Sequence, residues 1–190
     1  SQMIEIVRET FSSAISTLGL IECFWAVAEA KGLNNKIWST QNTILQSTGP
    51  LSNRLHHAQF EENGDFRQYI YIGSDAPALN LSYIRRTIVE LQSSDHVIGP
   101  AKDGGFYLFA SKIPLSLELW NSIPFSTSTT FKNLCHALPG KVVTLSELSD
   151  IDQVSDLSSA IEELEELEIR SKSQEKFISY LKGLQVTSMS

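Results

Sequence analysis

Apolar side chains recur along the chain with two spacings, and the two spacings alternate. Over residues 3–18 they follow the helical repeat, and Gly19 stands where a helix C-cap is expected. Over residues 22–28 and 68–72 they form short runs that are typical of strands in a buried sheet. Because this alternation continues to the end of the chain, it predicts a doubly wound α/β domain with a mainly parallel sheet and helices on both faces.

The remaining elements follow from the same criteria. Further strands are predicted at residues 42–46, 96–99, 106–110 and 141–145, and further helices at 51–60, 81–91, 114–120 and 130–138 and from 154 onward. The strand at 68–72 is the best candidate for the centre of the sheet, because it is β-branched and aromatic. We expect one domain over 1–190, with C-terminal helices at 154–186 packed on it.

Composition excludes several classes of protein. Of the 190 residues, 42% are hydrophobic, and 22 acidic against 15 basic residues give a net charge of −7. This charge argues against a nucleic-acid partner, because a phosphate backbone requires a basic face. No apolar run approaches the ~18 residues of a membrane span and no signal peptide is present, so we expect a cytoplasmic protein. Cys23 and Cys135 lack metal-ligand spacing and are expected to be reduced, buried thiols.

Acidic residues follow three of the predicted strands. Asp75 lies just after strand 68–72, Asp103 follows strand 96–99, and Asp150 and Asp152 follow the last strand. Ligands of open α/β sheets bind outside the carboxyl ends of the strands, so these positions are the candidate site. Carboxylates without a Cys/His cluster favour Mg²⁺ or Mn²⁺, whose natural partner is a phosphate or diphosphate.

Each acidic position also has a structural interpretation. Asp75 could form an Asx-turn or cap a helix, and Asp103 before two glycines is typical of a hairpin turn. Asp150 and Asp152 could be the acidic first turn of a helix. His56 and His57 are neighbours on a helix and cannot share a ligand, and residues 162–168 are predicted to be the solvated face of a helix. No GxSxG, GxGxxG or Walker A motif is present.

Four ordered segments carry a family resemblance. They are Ile72–Leu79 (IGSDAPAL), Gly99–Leu108 (GPAKDGGFYL), Ile123–Ser128 (IPFSTS) and Asp150–Asp152 (DID), and Gly49–Leu55 (GPLSNRL) extends the match. Together they resemble the motifs of a bacterial family of GT-A-like candidate glycosyltransferases, related to nucleotide-diphospho-sugar transferases. This family has long been catalogued as a domain of unknown function. The resemblance implies a Rossmann-like GT-A fold with a nucleotide over the strand ends.

The resemblance also implies a function and a set of residues. The function is a metal-dependent transferase that uses a nucleotide-sugar donor and an acceptor that the sequence does not name. Asp75, Asp150 and Asp152 would hold Mg²⁺ or Mn²⁺, and Asp103 would be the catalytic residue at the sugar or acceptor. The implied substrate-binding residues are Gly73, Ser74, Asp75, Pro77, Gly104, Gly105, Ser126 and Thr127.

Two departures from the family keep alternatives open. The family's usual second acid after the proline is Ala78 here, and the expected first strand with its basic phosphate loop does not precede residue 3. We therefore expect an N-terminally incomplete domain whose gap is filled by an upstream segment, by a strand of another copy in a homodimer, or by a rearranged sheet. The rival functions are a nucleotidyltransferase of the same fold and a non-catalytic remnant that binds nucleotide.

Overall fold

Helices and strands alternate along the chain. The structure is a computed structural model that describes residues 2–19, 21–38, 42–60 and 68–188, with side chains described as far as 183. The helices are α1 (Gln2–Leu18), α2 (Leu51–Ala58), α3 (Leu81–Ser93), α4 (Leu117–Ser122), α5 (Thr130–Ala137), α6 (Leu157–Glu166) and α7 (Lys172–Ser188). The strands are β1 (Phe24–Val27), β2 (Asn42–Leu45), β3 (Tyr69–Ile72), β4 (His96–Pro100), β5 (Phe106–Ser111) and β6 (Val142–Thr144).

The larger sheet has the order β3-β5-β4-β6. Strand β5 is antiparallel to both β3 and β4, whereas β4 and β6 are parallel. It follows that β3, β4 and β6 all run in one direction and β5 alone runs in the other. The predicted α/β class is confirmed, and the reversed strand arises because β4 and β5 form a hairpin. Hydrophobic patterning could not reveal the reversal, because a buried run has no direction.

Strands β1 and β2 form a separate parallel pair. In the described part of the chain, β3 pairs with β5 alone, so the strand predicted to be central lies at the edge of its sheet. Strand β1 is also less covered than its apolar sequence predicts, because only Trp25 is buried. The ring of Trp25 lies between Phe11 of α1 and Trp38, with centroids 5.4 and 4.8 Å away.

The larger sheet is covered on both faces. Neighbouring residues of β4 and β5 point to opposite sides, so Val97 and Leu108 pack with Leu91 of α3. Ile98 and Phe109 pack on the other side, in a cluster that also contains Trp120 of α4 and Leu134 of α5. This arrangement confirms the predicted helices on both faces of the sheet.

Local signals set the helix boundaries. The side chain of Asn80 accepts a hydrogen bond from the Ser82 amide and begins α3. Helix α4 begins later than the predicted residue 114, because the Ser116 hydroxyl accepts a hydrogen bond from the Leu119 amide and caps the helix there.

A third cluster joins helices α1, α6 and α7, with Ile6, Leu164 and Phe177 at its centre. Helix α7 is also anchored beside the larger sheet. The Gln174 amide is buried and donates to the carbonyl oxygens of Pro77 and Leu79, at 2.9 and 3.3 Å. The start of α7 is therefore tied directly to the loop that follows β3.

Candidate functional site

The carboxyl ends of three strands lie at the same end of the larger sheet, which we call its carboxyl edge. Strands β3, β4 and β6 run in the same direction, so the loops that follow them leave from that edge. A parallel bridge between Ala101 and Leu148 extends the pairing of β4 and β6 beyond the strands themselves. Asp75, Asp103 and Asp150 all lie in these loops.

Three carboxylates converge there. One oxygen from each of Asp103, Asp150 and Asp152 lies within 4.8 Å of the other two, and Asp150 is the most buried of the three. Hard cations such as Mg²⁺ and Mn²⁺ take carboxylate oxygens as ligands, so the chemistry of this donor set fits a divalent cation. Asp75, which the sequence analysis assigns to the metal, is not a member of this group.

Asp75 is instead connected to the group through its backbone. Its carbonyl oxygen accepts a hydrogen bond from the Ile151 amide at 3.0 Å. Its carboxylate folds back over Gly73. A Cβ atom added to Gly73 would lie only 2.6 Å from Oδ1 of Asp75. Asp75 therefore stands beside the three converging carboxylates, and Gly73 leaves the space that its side chain occupies.

Asp103 lies in the turn of the β4–β5 hairpin. Its Oδ1 accepts a hydrogen bond from the Gly105 amide at 2.6 Å, which forms an Asx-turn. The hairpin interpretation of this segment is therefore correct, and it does not exclude a site. Because the turn lies at the same edge as Asp75, the hairpin carries Asp103 to the other acidic residues.

The four acidic side chains repel one another. Removal from water raises the pKa of Asp150 to about 6, and the charges of Asp103, Asp75 and Asp152 contribute to the rise. Partial removal from water also raises the pKa of Asp75, and the charges of Asp152 and Asp103 raise it further. Positive charge at this edge would therefore be stabilised.

A fifth acidic residue, Glu163, contacts residues next to two members of the group. Glu163 of α6 accepts hydrogen bonds from the Ser149 amide at 2.7 Å and from the Ser149 hydroxyl at 2.8 Å. The same carboxylate forms an ion pair with the Lys102 ammonium at 2.8 Å. Its side chain is only 16% exposed, so the prediction that residues 162–168 form a solvated face is wrong at this position.

The sequence offered no signal for Glu163. It lies within an acidic run in which Glu162, Glu165, Glu166 and Glu168 are exposed. The helical repeat places Leu164 on the buried side, but it does not say which neighbouring glutamate reaches a loop.

The segment Ile123–Ser128 packs against the hairpin turn. The Phe131 amide donates to the carbonyl oxygen of Gly104 at 2.8 Å, and Gly104 has a φ of +92°. A Cβ atom on Gly104 would overlap the backbone of Ser128. Gly104 is therefore required for the close approach of the two loops.

The predicted substrate-binding residues differ in accessibility. Ser74, Ser126 and Thr127 are exposed, and Ser126 adopts a left-handed backbone with a φ of 58°. Pro77 is buried, and its carbonyl oxygen already accepts the hydrogen bond from Gln174. Ala78 is completely buried in the core, so the position of the family's second acid is closed to the site.

The other candidates lie away from this edge or are unreactive. His56 and His57 are on α2, outside the acidic group. Both cysteines are free thiols and half-buried, which is less burial than the sequence predicts. Burial raises the pKa of Cys23 to about 11, so its thiol stays protonated at neutral pH.

Comparison with known families agrees with these motifs. The family described as "Uncharacterized protein conserved in bacteria (DUF2064)" matches residues 20–127, which is more than half of the chain. The chain belongs to the DUF2064 family. A comparison with curated proteins found no match.

Solved structures similar to this DUF2064 chain share its fold. A candidate nucleotide-diphospho-sugar transferase from Desulfovibrio desulfuricans G20 is 21% identical, with a TM-score of 0.69 over 93% of this chain and 83% of that one. A 4-diphosphocytidyl-2C-methyl-D-erythritol synthase from Anaerococcus prevotii DSM 20548 is 12% identical, with a TM-score of 0.59 over 95% and 89%. A CMP:2-keto-3-deoxy-manno-octonic acid synthetase complexed with CTP is 13% identical, with a TM-score of 0.58 over 87% and 88%.

The family match confirms the family that the sequence motifs resemble, and the solved structures confirm that the chain shares the fold of a candidate nucleotide-diphospho-sugar transferase. Within the described ranges, every helix of the DUF2064 chain is too short or too polar to cross a bilayer.

Proposed function

We propose that this DUF2064 protein binds a nucleotide-sugar together with Mg²⁺ or Mn²⁺ and transfers the sugar to an acceptor. The observation that carries the proposal is the convergence of Asp103, Asp150 and Asp152 within 4.8 Å at the carboxyl edge of the sheet. This edge is where open α/β sheets bind their ligands. The similarity in fold to a candidate nucleotide-diphospho-sugar transferase supports the same class of substrate.

In this proposal the acidic residues have different roles. Asp150 and Asp152 hold the cation, and an oxygen of Asp103 lies close enough to share it. When bound, the cation supplies positive charge that offsets the negative charge of the leaving diphosphate. Asp103 is retained as the residue at the sugar or acceptor, because its side chain is exposed and is followed by two glycines.

The other proposed substrate contacts surround this group. Asp75 and the exposed Ser74 follow β3, and Asp75 lies beside the diphosphate end of the donor. Ser126 and Thr127 are exposed in the loop that packs on Gly104. Gly104 and Gly105 would contact the donor through their backbone, because the space beside Gly104 is taken by the backbone of Ser128 and that beside Gly105 by the carboxylate of Asp103. Pro77 contributes stiffness to the β3 loop rather than a contact, because it is buried.

A nucleotidyltransferase is the second candidate function. Two structural neighbours favour it, since one is a synthetase complexed with CTP and the other a diphosphocytidyl synthase. A triphosphate substrate would require basic groups near the carboxylates. In the described part of the chain the ammonium of Lys102, next to Asp103, is already paired with Glu163, which favours a nucleotide-sugar over a triphosphate.

The two functions release different products, so one experiment separates them. The purified protein would be incubated with Mn²⁺ and either a panel of nucleotide-sugars or nucleoside triphosphates with sugar phosphates. A glycosyltransferase breaks the bond between the sugar and the diphosphate, passes the sugar to water when no other acceptor is present, and releases a nucleoside diphosphate, whereas a nucleotidyltransferase joins the nucleotide to the sugar phosphate and releases pyrophosphate. Release of nucleoside diphosphate that requires Mn²⁺ and is lost in Asp152→Asn supports the proposal. Pyrophosphate release would establish the alternative.

A further inference from the structure

The side chain of Glu163 contacts both of the loops that carry the converging carboxylates. On one side it accepts two hydrogen bonds from Ser149, which directly precedes Asp150. On the other side it pairs with Lys102, which directly precedes Asp103. Each contact is to the residue immediately before an acidic residue of the group.

The two loops are also joined to each other through their backbones. The Lys102 amide donates to the carbonyl oxygen of Leu148 at 3.0 Å, and the Leu148 amide donates to that of Pro100 at 3.1 Å. These bonds end at Lys102 and Leu148, so they do not set where the following acidic residues lie. The carboxylate of Glu163 continues the connection by one further residue in the second loop, to Ser149, and in the first loop it adds a contact with the side chain of Lys102.

The Ser149 half of this connection is buried, which gives it strength. Ser149 is 2% exposed and the Glu163 side chain is 16% exposed, whereas the Lys102 side chain is 46% exposed. Hydrogen bonds that involve a charged group are shorter and stronger than neutral ones, particularly where water is excluded. Glu163 also holds the ammonium of Lys102, which directly precedes Asp103.

We propose that Glu163 is a positioning residue, which fixes the separation of Asp103 from Asp150 and Asp152 and so sets the affinity of the site for a divalent cation. This inference rests on the proposed function, since it assumes that the acidic group binds Mg²⁺ or Mn²⁺. Residues that orient metal ligands typically change metal affinity by about 10–100-fold when they are replaced.

The test is Mn²⁺ binding to the full chain, measured by isothermal titration calorimetry at pH 7.5 for wild type, Glu163→Gln, Glu163→Asp and Glu166→Gln. Glu166 is exposed on the same helix, so Glu166→Gln makes the same change in charge without touching either loop. Aspartate keeps the charge, but it is shorter by one methylene group and cannot reach both Ser149 and Lys102. We expect Kd to rise about tenfold in both Glu163 variants and to stay unchanged in Glu166→Gln.

A second measurement needs no metal. Hydrogen exchange of the Ser149 and Lys102 amides should become faster in Glu163→Gln and stay at the wild-type rate in Glu166→Gln. If Glu163→Gln does not fold, Ser149→Ala replaces it, because this change removes only the hydroxyl hydrogen bond, and a smaller rise in Kd is expected.

The outcomes separate the two claims. If wild type binds Mn²⁺ and the Glu163 variants bind it equally well, the positioning role is wrong and the proposed function stands. A Glu163→Asp variant with wild-type affinity would show that charge alone matters, which also overturns the positioning role. If wild type does not bind Mn²⁺ at all, the metal-dependent function itself fails, and the positioning role fails with it.

Discussion

The Ile151 amide donates a hydrogen bond of 3.0 Å to the carbonyl oxygen of Asp75. This bond joins the loop after β3 to the loop after β6, although these strands stand at opposite ends of the larger sheet. It places Ile151, between Asp150 and Asp152, directly against Asp75. The acidic edge is therefore one connected structure rather than three separate turns.

Removal of Asp150 from water, together with the neighbouring negative charges, predicts that Asp150→Asn stabilises the metal-free protein at pH 7.5. Folding raises the pKa of Asp150 from 3.8 to about 6, so ionisation of this carboxyl costs folding free energy. The cost is absent below pH 3.8, grows as pH rises, and is complete above about pH 6. We expect a gain on the order of 1 kcal/mol after screening by solvent, which raises Tm by about 2–4 °C.

Thermal unfolding of Asp150→Asn and wild type between pH 4 and pH 7.5, with a chelator present, checks this prediction. The gain should shrink towards pH 4. Asp156→Asn gives the opposite sign, because hydrogen bonds from the Gln153 and Asp152 amides lower the pKa of Asp156. That variant should be less stable than wild type at pH 7.5, and the difference should disappear as pH falls. Equal Tm values for Asp150→Asn and wild type at pH 7.5 would show that ionisation of Asp150 costs no folding free energy.

Asp152→Asn should weaken Mn²⁺ binding by about tenfold or more. An amide oxygen carries no net charge to offset that of the cation, and the affinity of an oxygen site depends on the number of charged ligands. Calorimetric titration measures the change. Glu118→Gln is the matched control, because it removes one negative charge at an exposed position in the first turn of α4. A similar loss of affinity in both variants would point to net charge rather than to ligation.

Gly104→Ala should destabilise the protein by about 2 kcal/mol or more. The residue has a φ of +92°, which side chains rarely adopt, and the added Cβ would overlap the backbone of Ser128. We expect Tm to fall by about 4–8 °C. Gly183→Ala is the control, because nothing lies within 4 Å of a Cβ there and alanine favours a helix. A Gly104→Ala protein as stable as wild type would contradict the close packing of the two loops.

Gln174→Ala should destabilise the protein by about 1–3 kcal/mol. The buried amide donates to the Pro77 and Leu79 carbonyl oxygens, and its removal leaves buried acceptors without partners. Chemical denaturation measures the loss. Gln92→Ala, at an exposed position of α3, should change stability by less than about 0.5 kcal/mol. If the two variants are equally stable, the link between α7 and the β3 loop contributes nothing measurable.

The sequence by itself determined the order of the elements and the position of the acidic residues within them. Hydrophobic periodicity is a local property, so the strands at β3, β4 and β6 and the helix α3 could be predicted within a few residues. Asp75, Asp103 and Asp150 were candidates because each follows a strand, and the carboxyl ends of strands that run in one direction share an edge.

Only the tertiary structure decided which of these groups meet. The direction of β5 and the edge position of β3 depend on hydrogen bonds between segments distant in sequence, which a local pattern does not contain. The same is true of side chains: Asp103 replaces Asp75 in the converging group, and Glu163 turns inward from a run of exposed glutamates. Such choices depend on distances of a few ångströms between loops, and these are fixed by how the helices and the sheet pack.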